Sequence, residues 1–177
     1  MDIKKYDKIF KIILYFFIYA LLGWILETLY AIYDVGYFYK RGFLYGPICP
    51  IYGYGAIMLI LFFSNFKKHT LKLFFYSGIV FSAFEYVVSY ILEACFQMSW
   101  WDYTNDFLNL NGRISIFFSF AWGIIAILFI DRIHPFIEKH MEKLFNKFSV
   151  KTHFITSVCL ICVLITDTVF SSIKYLT

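Results

Sequence analysis

The sequence predicts an all-α fold, a polytopic integral membrane bundle of about five transmembrane helices with one amphipathic helix at the cytoplasmic surface. Three observations carry this. Hydrophobic residues make up 61% of the 177-residue chain, whereas a soluble domain carries roughly 45 to 50% and could not hide the excess. Charged residues reach only 16% and mean hydropathy is +0.70. Apolar runs long enough to cross about 30 Å of hydrocarbon recur along the chain and leave no room for a soluble domain, so residues 1–177 read as one transmembrane domain.

The first run, residues 10–33, follows the basic stretch MDIKKYDKIFK. It is too long for the apolar core of a signal peptide and lacks an A-x-A-like cleavage site, so it predicts a retained helix. The second run, residues 44–63, starts inside RGFLYGPICPIYGYG. Pro47 and Pro50 have no N–H to donate, and Gly46 and Gly53 loosen the backbone. Two outcomes follow: a broken outer end lining a cavity, or a helix initiated by proline after a turn.

The third run, residues 71–96, spaces Gly78, Ser82, Glu85, Ser89 and Glu93 three or four apart, which aligns them on one helical face. After it comes SWWDYTNDFLNLNGR, either an interfacial aromatic belt with a short plug loop or part of a binding surface. The fourth run, residues 114–130, repeats the small-residue spacing with Ser115, Ser119, Gly123 and Ala126. In residues 134–148, Ile137, Met141, Leu144, Phe145 and Phe148 recur at helical spacing among Glu138, Lys139, Glu142, Lys143 and Lys147, predicting a separate interfacial helix. A fifth run spans residues 154–173.

The net charge of +4 is distributed as a membrane protein distributes it, which argues against a nucleic-acid partner. Lys4, Lys5, Lys8, Lys11, Lys67, Lys68, Lys72, Arg132, Lys139, Lys143, Lys147 and Lys151 fall on one side. Lys40, Arg41, Arg113 and Lys174 fall on the other. The positive-inside rule places the N-terminus in the cytoplasm and the C-terminus outside, with the plasma membrane as the expected location.

At about 1.5 Å of rise per residue, Glu27, Glu85, Glu93 and Asp167 all occupy the outer half of their helices. An acid in hydrocarbon costs on the order of 2.5 to 3.5 kcal/mol, so these groups should face inward toward one another, a cation or water. Glu27, Arg41, Glu85, Glu93, Arg113, Asn111, Trp101 and Asp102 are therefore the candidate residues for binding a substrate or ion in an outward-opening vestibule. The competing structural expectation pairs Glu27 and Glu85 with Arg41 and Arg113. No catalytic residue, cofactor or metal site is expected: the four histidines lie away from these acids, and no H-E-x-x-H or paired Cys and His spacing occurs. Cys159 and Cys162 form a C-x-x-C in an apolar run and read as packing residues.

GWILETLY, RGFLYGPICPIYGYGA, FEYVVSYILE and WWDYTNDFLNLNGRIS followed by FAWG resemble, in the same order, motifs of the ABC-transporter permease family of the CmpB type, small bacterial membrane proteins. The resemblance covers Gly23 to Gly123. It implies a membrane transport component whose ATPase is a separate subunit, consistent with the lack of a G-x-x-x-x-G-K-[ST] motif, and it carries no site residues over. The functional expectation is a permease subunit binding a small polar or cationic solute or protons. The alternatives are an envelope protein that senses or scaffolds, and an intramembrane enzyme using Glu27 and Glu85 as paired carboxylates. Five helices are few for a permeation path, so a homo-oligomer is expected as well.

Overall fold

A computed structural model describes the backbone of residues 3–177 and the side chains of residues 6–177, so Lys4 and Lys5 lie outside the described side chains. The chain is almost wholly helical: α1 (Ile3–Val35), α2 (Pro50–Met58), α3 (Thr70–Phe96), α4 (Ile116–Leu128), α5 (His134–Phe145) and α6 (Val150–Leu176), with a two-stranded hairpin of β1 (Asn109–Leu110) and β2 (Ile114–Ser115). Four helical runs, Tyr6–Val35, Thr70–Phe96, Ile116–Phe145 and Val150–Leu176, are long and apolar enough to cross a membrane, and Pro50–Phe66 is a shorter apolar helix. Leu29, Ile79, Phe117 and Val163 are 62, 67, 70 and 63% exposed, an exterior that hydrocarbon solvates and water would not.

Helix ends follow from local chemistry. At the end of α1, Gly36 takes φ +78° and its N–H reaches Ile32 O at 2.9 Å, a left-handed stop. Ser115 and Ser149 cap α4 and α6, their hydroxyls accepting from the amides of Phe118 and Thr152.

Two boundaries differ from the sequence expectation. The second helix begins at Pro50, not at residue 44; residues 36–49 are an irregular strap. Pro50 stands at the first helical position, where its missing N–H costs nothing. The fourth run does not end at residue 130 before a separate amphipathic helix at 134–148. A π turn, Phe129–Ile133, carries α4 directly into α5, and Phe148 lies beyond the helix. The amide of His134 bonds Phe129 O, five residues back, so the ladder shifts just where Pro135 has no N–H to give. A second π turn, Leu59–Phe63, follows α2, and the two π turns pack against each other.

The chain divides into two compact units, residues 1–57 with 138–177, and residues 58–137. In the first, α1 packs on α6. In the second, α3 packs on α4.

Candidate functional site

In the unit of residues 58–137, the buried face of α3 includes Ser77, Gly78, Phe81, Ser82, Glu85 and Ser89. Gly78 permits the close approach of α4, since a Cβ there would lie 2.9 Å from Ser119 O. Ser82 Oγ donates to Ser119 Oγ at 2.6 Å, and Ser119 Oγ donates to Ser115 O at 2.9 Å. Beyond this chain lies Glu85, only 5% exposed. Its Oε1 accepts from the Tyr103 hydroxyl and its Oε2 from Trp122 Nε1, both at 2.9 Å. Tyr103 stacks on Phe118 at 4.5 Å between centroids, and Trp122 leans on Phe81 at 6.0 Å. Two neutral donors, each braced by an aromatic neighbour, therefore hold one carboxylate in the interior.

Glu93, two turns along α3, pairs with Arg113. The Arg113 guanidinium carbon lies 5.6 Å from the Tyr86 ring centre and 5.7 Å from that of Tyr90. Arg113 is delivered by the hairpin, whose turn residues Asn111 and Gly112 take φ +54° and +66°, the left-handed pair that an Asn-Gly turn supplies. Asn111 Nδ2 donates to the Tyr86 hydroxyl at 2.9 Å, and Trp101 Nε1 donates to Arg113 O at 3.0 Å. Asp102 braces its own loop: its Oδ1 accepts from the amide and hydroxyl of Thr104, which hold its carboxyl below the usual aspartate range.

The unit of residues 1–57 and 138–177 holds Glu27 and Arg41. Glu27 accepts a hydrogen bond from the Tyr52 hydroxyl. Tyr52 reaches it over Gly23, where a Cβ would stand 2.3 Å from the ring. Gly53 lies inside α2 against Phe16, where a Cβ would come within 2.7 Å of the ring; it is a packing position and not a helix break. Arg41 lies over the Tyr39 ring at 5.9 Å, and its Nε is buried without a partner among the described residues, as are Trp24 Nε1 and Thr28 Oγ1.

Asp167 fastens the strap. Its two oxygens accept the amides of Tyr45 (2.8 Å) and Gly46 (2.7 Å), and Ser171 Oγ donates to it at 3.0 Å. Pro47 follows in the same irregular stretch. At the other end of α6, His153 Nδ1 lies 2.8 Å from Asp7, which also pairs with Lys11 at 3.0 Å.

The expected structural pairings are not those formed: among the described residues the ion pairs are Lys11–Asp7, Arg113–Glu93 and His153–Asp7. Neither Glu27 with Arg41 nor Glu85 with Arg113 is among them. No group of three or more His, Cys, Asp or Glu among the described residues is placed to hold a metal.

The model of the family described as "Putative ABC-transporter type IV" matches residues 14–172. The chain belongs to this family. The match takes in Glu27, Arg41, Glu85, Glu93, Arg113 and Asp167, so the polar groups of both units lie within the type IV region. No curated protein and no solved structure matches the chain. As a type IV family member with these apolar helices, it is a multi-pass membrane protein of transporter kin.

Several partners in these polar clusters escape a reading of spacing alone. Tyr52, Tyr103 and Trp122 are lost among 15 Tyr and 4 Trp. The hairpin did leave a signal, the dipeptide Asn111–Gly112. Asp167 is visible as an intramembrane acid, but beside Ser171 its partners are the backbone amides of Tyr45 and Gly46, which no side-chain pattern reveals.

Proposed function

We propose that this chain is the membrane-embedded component of an ABC-type transport system, handling a small cationic or polar solute or protons through a polar interior that opens outward, and working with a separate ATPase subunit. The observation that carries this reading is Glu85. Its carboxylate is 5% exposed within a membrane-spanning helix and is held by two neutral donors, with no cation in ion-pair range among the described residues. An acid at such depth costs on the order of 2.5 to 3.5 kcal/mol while its charge is uncompensated. One that keeps only neutral donors retains lone pairs for an exchangeable cation or a proton.

The basic distribution supports an N-terminus in the cytoplasm and a C-terminus outside, and the resemblance to small bacterial membrane proteins favours a bacterial plasma membrane. In that orientation α5, with Lys139 and Lys143 exposed, would face the side where an ATPase would dock. A homo-oligomer would complete the permeation path. Glu85→Gln tests the reading: the nearly isosteric amide removes the charge, so uptake into proteoliposomes should be lost while melting changes little. Wild-type uptake and wild-type melting together would remove Glu85 from the site.

A further inference from the structure

The end of α3 carries a box that is already filled by a cation of the protein's own. Tyr86, Tyr90 and Glu93 stand at steps of four and three on one helix, so the box does not depend on the hairpin for its walls. Into it the hairpin places Arg113, between two ring centres at 5.6 and 5.7 Å and paired with the Glu93 carboxylate. Two aromatic surfaces and one carboxylate around a flat, weakly hydrated cation are the chemistry by which proteins hold organic cations. Glu93 also lies in the last turn of α3, which ends at Phe96, where the helix dipole adds negative potential.

The box is not sealed. The Glu93 side chain is 46% exposed and Tyr90 is 58% exposed. Arg113 does not satisfy itself there either, since its Nε is buried without a partner among the described residues, a deficit that weakens its hold. We propose that Tyr86, Tyr90 and Glu93 form a binding site for an organic monocation of the guanidinium or ammonium class, and that Arg113 is a tethered occupant displaced when the free cation binds. The proposal deepens the transport reading and rests on it for its physiological sense, by naming the ligand class. Aromatic walls with a single carboxylate select against a small, strongly hydrated metal ion, which needs several oxygen ligands.

The experiment reads binding, not transport. Purified protein in nanodiscs is titrated with methylguanidinium and with tetramethylammonium, with potassium at equal ionic strength as the control. Wild type should bind at least one organic cation saturably and show no such response to potassium. Arg113→Ala, which removes the competitor, should bind about tenfold more tightly, and Glu93→Gln about tenfold more weakly. Absence of saturable binding to wild type, or binding indifferent to Glu93→Gln, overturns the site. Should Arg113→Ala fail to fold, the wild-type and Glu93→Gln comparison decides alone. Binding without uptake would remove the transport reading and leave the site; Glu85-dependent uptake without binding would do the reverse.

Discussion

Trp122 Nε1 donates to Oε2 of Glu85 at 2.9 Å, tying α4 to α3 through a carboxylate on a buried face that also carries Ser82, Ser89, Gly78 and Phe81. The bond is charge-assisted whenever Glu85 is ionised, and it lies where few competing donors exist.

Trp122→Phe keeps most of the ring and deletes the N–H. It should lower stability by about 1 to 3 kcal/mol, the cost of leaving one buried oxygen unpartnered. In a double-mutant cycle with Glu85→Ala, which removes the acceptor, thermal melting in detergent should show non-additivity, because the two residues share one interaction. Additive losses would mean that the bond contributes nothing to the fold.

Gly46→Ala should loosen the strap, because the new Cβ would lie 2.8 Å from Asp167 Oδ2 and push the carboxylate off the two amides it holds. Asp167→Ala should produce the same phenotype by removing the acceptor. The readout is tryptic cleavage after Lys40 or Arg41 in the folded protein, faster in both variants than in wild type. Unchanged cleavage in both would show that the strap is held by other means.

Acid should loosen the 102–112 loop. The Asp102 carboxyl is held below its ordinary value of 3.8 by Thr104. Its folded-state pKa being the lower one, its contribution is full above the unfolded value and is lost as pH falls through the folded one. Hydrogen exchange at the Thr104 and Gly112 amides should therefore accelerate below about pH 4, after correction for intrinsic rates. Asp102→Asn should flatten that dependence.

A C-terminal alkaline phosphatase fusion should be active in a bacterial host, and an N-terminal one inactive. The expectation follows from the distribution of Lys and Arg, together with Pro50–Phe66 crossing despite being shorter than the other four helical runs. A well-expressed but inactive C-terminal fusion would put that segment on one side of the bilayer.

The faces of the long helices were legible because helical spacing and burial express one geometry. Gly78, Ser82, Glu85 and Ser89 are three or four apart and all buried. On α1 the buried positions include Tyr19, Gly23, Thr28 and Ala31, while Tyr30 is 59% exposed. α5 begins at His134 as the spacing predicts, but its continuity with α4 is not legible, because a π turn inserts one residue without changing composition and a break and a continuous helix look alike in periodicity. The partners of Glu27, Glu85 and Asp167 depend on which segments fold together, which a single chain's pattern does not encode.

The two donors that touch Glu85 are chemically unequal. An indole N–H can give a hydrogen bond but has no lone pair with which to receive one, whereas a phenol can do both. Trp122 is therefore an insulator and Tyr103 a conductor: a proton hopping along hydrogen bonds could enter or leave the carboxylate through the phenol, never through the indole. Tyr103 sits in the loop joining α3 to the hairpin, so under the proposed transport role a proton exchanging at Glu85 would pass on the loop side and meet a dead end in α4.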